Sequence, residues 1–381
     1  MENKDNNARV AVSFAAIDPF VQQNIILPTE KKVQGKDMVE WGERNLYPDY
    51  LLDLYKTTSS LRSVINGTAD FIVGDNQTIL PLPETSYLPG VMNAKGDTIR
   101  AQVDALAHDY ETYGGFALQV IRGLGGTPIE IYYIDIRFLR SNKENSVFYY
   151  CEDWKKSRKD VLVYPAYQTI TPEKWATMDE KERGRVASSI LFVKNTTTQV
   201  YPTPIYGAAV KACETERAID DYHLNAINNG FVSSMIVNFN NGVPSDKMKE
   251  EIEKAFNEKF SGHQNAGRIC FSWNPDRVNA TTITEPKIDN FGDRYQALAA
   301  HCRQQIFTAF RANPNLFGIP TENLGFSQEE YDSAFKLYNR TCVKPVQRLI
   351  CDAYDTIYGQ PGVLTIQPFT LEGDEEEQKV N

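Results

Sequence analysis

The sequence contains few of the residues that most often mark a catalytic or metal site. Its 381 residues include only 4 histidines and 6 cysteines. The cysteines form no C-x-x-C pair, which argues against a zinc site or a disulfide framework and predicts buried free thiols in a reducing compartment. No H-E-x-x-H, nucleophile-elbow or phosphate-loop pattern occurs. We therefore expect no metal, no cofactor and no enzymatic activity.

Long apolar runs and an excess of positive charge are also missing. No stretch approaches eighteen consecutive apolar residues, and the polar start, residues 1–7, is unlike a signal peptide, so we expect no membrane association. Lys and Arg total 40 against 50 for Asp and Glu, a formal net charge of −10. Tight binding of nucleic acid through its phosphates needs a basic surface. The charge argues against a protein that grips nucleic acid, but not against a surface that nucleic acid passes.

The residue pattern is typical of an α+β fold. Helical spacing of apolar residues predicts helices that fall in the following segments: 48–70, 97–113, 205–228, from 245 to about 260, 290–312 and 327–358. Runs of β-branched and aromatic residues predict strands at 116–122, 129–134, 147–150, 161–164, 190–193, 233–239, 267–271 and 363–369. Pro345 predicts a kink near Thr341 in the last helix, because proline lacks the N–H that a helix needs. Residues 201–204, Y-P-T-P, indicate a domain boundary.

One glycine-rich segment, residues 123–126, allows two interpretations. A phosphate-binding loop of the dinucleotide type needs a further glycine, followed by a helix. Pro128 stands at that glycine position, and a strand follows. The segment therefore favours a hairpin turn over a nucleotide site.

An ordered set of short segments resembles the tailed-bacteriophage portal (head–tail connector) protein family over about residues 40–370. The matching segments are Y-G-G-F-A at 113–117, Y-P-T-P-I-Y at 201–206, N-A-G-R at 265–268, Q-I-F-T-A-F-R-A-N-P-N-L-F-G at 305–318 and F-K-L-Y-N-R-T-C-V-K-P at 335–345. The sequence departs from the family at residues 311–314, where valine–proline–proline is common. It also shows no helical C-terminal crown, so little or no crown is expected.

The resemblance implies an α+β, portal-type subunit with a mixed α/β wing and two long stem helices. The implied segments are an N-terminal wing region at 1–204, a first stem helix at 205–230, a small strand–helix–strand clip at 231–288, a second stem helix at 289–312, a tunnel loop at 313–326, a kinked C-terminal wing helix and strand at 327–370, and an acidic tail at 371–381.

The resemblance also implies a function. Portal proteins form a closed ring, usually a dodecamer, at one vertex of the capsid, and double-stranded DNA passes through it during packaging and ejection. The implied partners are the terminase large subunit, a head-completion or tail adaptor protein and the major capsid protein. Contact with DNA would be transient and nonspecific. The protein would occupy the portal vertex of the virion, and the host cytoplasm during assembly.

Three groups of candidate site residues follow from the resemblance. Residues expected to face the DNA channel are Asn315, Glu322, Asn323 and Leu324. Residues expected to line the stem or to pair between subunits are Glu214, Asp221, Arg303 and Arg311. Residues expected to dock a partner from the clip are Lys247, Lys249, Glu250 and Glu253. For each group, packing against neighbouring residues or an ordinary solvated surface is the competing interpretation.

Two alternative functions remain open at this point. One is a cytoplasmic α+β enzyme with a dispersed active site, in which a change of His223 or His263 would abolish an activity. The other is a different ring-forming virion connector or adaptor, which would lack the long paired stem helices.

Overall fold

The chain divides into a larger and a smaller compact unit. The computed structural model describes residues 26–33, 37–83, 85–155, 161–228, 235–239, 245–251, 269–273, 282–284, 291–319 and 328–370. The larger unit comprises Ile26–Glu214 together with the chain from Cys302 onward, and the smaller unit contains Thr215–His301.

Helices and strands are interspersed along the described residues. The helices are α1 (Tyr47–Thr57), α2 (Ser59–Val73), α3 (Ile99–Tyr113), α4 (Pro172–Thr177), α5 (Glu180–Val186), α6 (Val210–Asn228), α7 (Phe291–Ala309), α8 (Gln328–Tyr338) and α9 (Lys344–Tyr358). The strands are β1 (Glu30–Lys32), β2 (Val39–Trp41), β3 (Asn76–Ile79), β4 (Gly115–Arg122), β5 (Pro128–Ile134), β6 (Leu139–Ser141), β7 (Val147–Tyr150), β8 (Leu162–Pro165), β9 (Ser188–Lys194), β10 (Met235–Phe239), β11 (Ile269–Trp273), β12 (Thr282–Thr284) and β13 (Leu364–Gln367). Residues 246–251 are also helical.

Antiparallel sheets form the β structure of the larger unit. One has the strand order β1-β2-β6-β7-β8, a second has the order β5-β4-β9, and a third pairs β13 with β3. In the smaller unit, β10 pairs in parallel with β11 and antiparallel with β12. A parallel pair needs a crossover connection between its strands, in keeping with the helical residues 246–251 that lie between β10 and β11 in sequence.

Local sequence explains where α3 begins and ends. The Thr98 hydroxyl caps the first turn by accepting a hydrogen bond from the Ala101 N–H at 3.3 Å. Gly114 ends the helix in the left-handed conformation, with φ 83°. A Cβ at Gly114 would come within 2.0 Å of the Thr203 carbonyl oxygen, so this position needs glycine for space as well as for conformation. The chain can therefore pass directly from α3 into β4.

The core of the larger unit forms where α2, α3 and α9 meet. Leu61, Ile65, Val103, Leu106 and Ile350 are completely buried there. Two buried polar contacts also join these helices. They are the bond from Gln347 Nε2 to the Ile72 carbonyl at 3.0 Å and the bond from the Tyr354 hydroxyl to Gln102 Oε1 at 2.7 Å. The helix that comes latest in sequence therefore completes a core begun by residues far earlier in the chain.

The observed elements confirm the α+β class and most of the longer predicted elements. Residues 123–126 form a hairpin turn between β4 and β5, in which the Gly126 N–H donates to the Gly123 carbonyl at 3.0 Å. A Cβ on Gly126 would lie 2.7 Å from the Trp175 ring, so this glycine makes room for an indole rather than for a phosphate.

Three predictions from the sequence need correction. The helix expected at 48–70 is two helices, because Thr58 is extended (φ −105°, ψ 112°) and its N–H caps the Leu54 carbonyl. The kink expected near Thr341 is a π-helical segment, Asn339–Val343. The strand–helix–strand region at 231–288 contains a third strand, β12, whose three residues are too few to show a period.

Candidate functional site

The end of α7 forms a tight hydrogen-bonded turn with an unusual residue in it. The Ala312 N–H donates to the Phe307 carbonyl at 2.9 Å, and the Arg311 N–H donates to the Thr308 carbonyl at 3.0 Å. These two bonds are those of the Schellman motif, in which glycine normally occupies the left-handed position. Arg311 holds that position here, with φ 54°.

The residues after this turn form a short, capped 3-10 helix. Asn313 Oδ1 accepts a hydrogen bond from the Asn315 N–H at 3.1 Å, Pro314 begins the helix, and Gly318 ends it with φ 72°. Asn315 itself is half-buried. The other three residues predicted to face a channel, at positions 322 to 324, lie outside the described residues.

A cluster of aromatic rings holds this 3-10 helix in place. The Phe317 ring lies 6.0 Å from that of Phe71, 5.7 Å from that of Phe307 and 5.9 Å from that of Tyr338, in edge-to-face arrangements. Phe71 also contacts Phe335 at 5.4 Å. We call Phe71, Phe307, Phe317, Phe335 and Tyr338 the aromatic cluster. It anchors the chain on both sides of residues 320–327, because Phe317 precedes that segment and Phe335 and Tyr338 follow it.

Glycine in the middle of α2 permits this packing. A Cβ at Gly67 would lie 2.5 Å from Cδ1 of Phe317, closer than two non-bonded carbon atoms can approach. A glycine inside a helix lowers helix stability relative to alanine, so the close contact explains its presence. Phe317 thus sits directly on the backbone of α2.

Polar groups beneath the cluster are deeply buried. The Tyr338 hydroxyl and Thr68 Oγ1 share a hydrogen bond of 2.7 Å, and burial raises the pKa of Tyr338 above its usual value. Glu111 in α3 is only 2% exposed, and burial raises its pKa to about 8. Its carboxyl group is therefore mostly protonated at neutral pH, which avoids the large cost of an ionised group in an apolar site.

The structure places the four predicted stem residues in different environments. Glu214 is half-buried in α6 beside Tyr50, whose pKa is raised by burial and then by this carboxylate. Asp221 lies two turns later on the same helix and is exposed. Arg303 and Arg311 are exposed in and just after α7. Within one chain, the described ion pairs do not join either arginine to either of these carboxylates.

Two consecutive residues of α6, Tyr222 and His223, pack against Tyr295 of α7 within the smaller unit. Tyr222 and Tyr295 stack with ring centroids 5.0 Å apart, and the His223 ring lies 5.3 Å from that of Tyr295. His223 therefore takes part in aromatic packing, a role that the alternative enzyme hypothesis did not give it.

Three of the four predicted docking residues lie on the helical residues 246–251. Lys247 and Glu250 are exposed, and Lys249 Nζ is 2.9 Å from Asp246 Oδ1, an ion pair that lowers the pKa of Asp246. Met248 is 55% exposed between the two lysines. Glu253 lies outside the described residues.

Sequence reasoning missed the residues that hold the candidate channel segment. Phe71 and Gly67 belong to α2, far from residues 313–318 in sequence, and only tertiary packing brings them to Phe317. The one local signal is Gly67, because a glycine inside an otherwise regular helix often marks a close approach.

The described part of the chain offers no sign of a metal centre or a membrane span. Among those residues, no group of three or more His, Cys, Asp or Glu side chains is arranged to hold a metal ion. None of the helices described there has both the length and the apolar character needed to cross a bilayer.

Solved structures with a similar fold include chains from gene transfer agent particles. The chain resembles one in the virion of a native gene transfer agent particle, at 16% identity and a TM-score of 0.53, over 87% of each chain. It also resembles a chain in the neck of the native particle computed with C12 symmetry, at 16% identity and a TM-score of 0.54, over 87% of this chain and 88% of the other. An HK97 family phage portal protein from Corynebacterium diphtheriae is 12% identical, with a TM-score of 0.47, over 81% of this chain and 89% of the other.

The family comparison extends from just before α3 through the last strand. No curated protein matches the sequence. The family model described as phage portal protein matches residues 94–368, which is well over half of the sequence and includes α6, α7 and the aromatic cluster residues beyond α3. The chain belongs to the phage portal protein family.

Proposed function

We propose that this portal protein assembles into a homo-oligomeric ring at the portal vertex of a capsid and conducts double-stranded DNA during packaging and ejection. The match of residues 94–368 to the portal family carries the proposal. Portal proteins are structural and non-enzymatic, so the function lies in surfaces and in a channel rather than in a catalytic centre. This also removes the support for a dispersed active site.

We also propose a role for each segment of the subunit. The smaller unit begins within α6, contains the three-stranded sheet of β10, β11 and β12, and ends within α7. We assign residues 205–230 and 289–312, which contain α6 and α7, to the stem and residues 231–288 to the clip. The remaining roles are the wing for residues 1–204 and 327–370, the tunnel loop for 313–326, and an acidic tail for 371–381.

A ring of twelve subunits is the expected assembly. A head-to-tail ring uses two different surfaces of each subunit, and it closes only when the rotation between neighbours divides the circle. The neck of the gene transfer agent particle, which contains a chain of similar fold, was computed with C12 symmetry. This supports twelvefold symmetry here.

The DNA-facing surface is assigned to the segment anchored by the aromatic cluster. We propose that Asn315, Glu322, Asn323 and Leu324 face the channel, and that Glu214, Asp221 and Arg303 line the stem or pair between subunits. Neutral and acidic side chains bind phosphate weakly, so DNA moves past them without being held. The anchored 3-10 helix supports this assignment, because a DNA-facing turn needs a firm base.

We assign the helical residues 246–251, which lie in the proposed clip, to partner docking. Lys247, Lys249, Glu250 and Glu253 would flank the exposed Met248, a mixture of charged and flexible apolar side chains that suits successive partners. We propose the terminase large subunit and then a head-completion or tail adaptor protein as those partners, and the major capsid protein as the neighbour of the wing. Assembly would begin in the host cytoplasm.

Electron microscopy of the purified chain tests the ring directly. Negatively stained particles should be closed rings with a central channel, and native mass spectrometry should give twelve subunits. Asp221→Arg should reduce the fraction of rings if this carboxylate pairs between subunits. Glu180→Arg makes the same change in charge at an exposed wing helix and should leave assembly unchanged. Monomers or dimers alone, under conditions that permit assembly, would contradict the proposal.

A further inference from the structure

One carbonyl group in the C-terminal helical region has no backbone donor at the usual position. In a regular α-helix, the carbonyl of residue i accepts the N–H of residue i+4. The residue four positions after Thr341 is Pro345, which has no N–H. The hydrogen bond expected at the Thr341 carbonyl therefore cannot form.

The chain accommodates this proline with a π-helical segment between α8 and α9. The Lys344 N–H donates to the Asn339 carbonyl, five residues earlier, in place of the usual bond across four residues. Such single-turn segments are rare, and they widen the helix where they occur. The π-helical segment thus presents its carbonyl groups to neighbouring side chains.

Arg311 reaches this segment from the end of α7. Its Nη2 atom lies 3.5 Å from the Thr341 carbonyl oxygen. A second contact runs in the opposite direction, with Cys342 Sγ 3.9 Å from the Phe310 carbonyl oxygen. The turn after α7 and the π-helical segment therefore each contribute one side chain to a backbone group of the other.

The backbone conformation at Arg311 also points to a role for its side chain. A side chain with a Cβ is disfavoured at the left-handed position of a Schellman motif, where glycine carries no such cost. Strained positions persist when the surrounding structure over-determines them. An arginine at φ 54° thus points to a contribution from the guanidinium group that glycine would lose.

We propose that Arg311 is a positioning residue whose guanidinium supplies the donor that Pro345 lacks at the Thr341 carbonyl. The contact fastens the turn after α7 to the π-helical segment. It therefore helps to hold in place residues 313–318, which include Phe317 of the aromatic cluster. The role is within one subunit and does not depend on ring formation, unlike the pairing between subunits that family resemblance suggested for Arg311.

A double-mutant cycle in the full chain tests the link between the two residues. Arg311→Met keeps the length of the side chain and the Cβ but removes the donors. Pro345→Ala restores an N–H opposite the Thr341 carbonyl. Hydrogen exchange of the amides at residues 342–344 and 346, which all variants share, reports how often this segment opens.

The proposal makes the effect of Arg311→Met depend on residue 345. With Pro345 present, Arg311→Met should speed exchange about five- to tenfold, the range expected for one charge-assisted hydrogen bond at a partly exposed site. In the Pro345→Ala background, the same change should alter exchange less than about twofold, because the restored N–H serves the carbonyl. Arg311→Lys, which keeps a donor, should restore part of the protection.

Controls separate this role from general effects of charge and folding. Arg340→Met removes the same charge from an exposed site in the π-helical segment and should leave exchange near the wild-type rate. Equal acceleration by Arg311→Met in both backgrounds would overturn the proposal. If Arg311→Met alone fails to fold, the double variant must fold, and a double variant that also fails would overturn the proposal equally.

Discussion

Glu111 shows how one buried carboxyl group makes the stability of the subunit depend on pH. Burial raises its pKa from 4.5 to about 8. Between these values the unfolded chain has released a proton that the folded chain keeps. Stability therefore falls as pH rises through this window, by up to about 1.4 kcal/mol per pH unit, and the loss is complete above pH 8.

The variant Glu111→Gln should remove this dependence. Glutamine keeps the shape of the protonated carboxyl group and does not ionise, so the variant should gain a few kcal/mol over the wild type at pH 8 but little at pH 4.5. Urea midpoints measured between pH 4.5 and pH 8.5 check this. Glu180→Gln, at an exposed position of α5, serves as the control. Parallel pH profiles for Glu111→Gln and the wild type would contradict the assignment.

Two glycines inside helices should respond in opposite directions to alanine. Gly67→Ala in α2 pushes a methyl group into the Phe317 ring and should destabilise the larger unit by about 1–3 kcal/mol. Gly184→Ala in α5 meets no atom within 4 Å and should stabilise by up to about 1 kcal/mol, because alanine favours helix.

Urea denaturation of the two glycine variants measures both effects. The close contact at Gly67 also predicts that Phe317→Leu, which removes the ring, relieves part of the loss in Gly67→Ala. A stabilising effect of Gly67→Ala would mean that Phe317 does not pack on α2 as described.

The sequence predicts long helices better than short strands, and the structure shows why. Regions such as 97–113 carry apolar residues over several helical turns, whereas β2 has only three residues and no detectable period. Strand β3 was not predicted, because its partner β13 is distant in sequence and supplies the hydrogen bonds that define it. Pairing of this kind follows from tertiary packing rather than from local preference.

The end of α7 was predictable from the sequence, but the packing that supports the turn after it was not. The asparagine–proline pair at 313–314 marks the end of a helix from local chemistry alone. The aromatic cluster depends on α2, and no spacing within residues 305–318 indicates that Phe71 lies beneath Phe317. Arg311 is harder still, because glycine is the residue that sequence rules associate with its backbone conformation.

The net charge of −10 predicts weak binding of the assembled protein to double-stranded DNA. Asn315→Lys would place one new positive charge per subunit on the proposed channel turn. The affinity of the ring for DNA should rise, and the plot of log affinity against log salt should steepen by about 0.9 for each phosphate newly contacted. Fluorescence anisotropy at several salt concentrations measures both quantities.

A second lysine variant, placed outside the channel, separates the effect of position on DNA binding from the effect of added charge. Gln360→Lys adds the same charge at an exposed site after α9 and should change neither the affinity nor the slope appreciably. Equal effects of the two lysines would mean that Asn315 has no special access to DNA. The ring itself could still form in that case.

The pairing of β13 with β3 has a consequence for biosynthesis. The ribosome makes α2 and β3 early, but the parts that complete their packing emerge roughly 255 to 290 residues later: the aromatic residues at 335 and 338, α9 and β13. A nascent chain cannot finish its larger unit until synthesis has passed residue 367. Neighbouring ribosomes on one message would therefore carry unfinished subunits, and ring formation would wait until each subunit had been made at least this far.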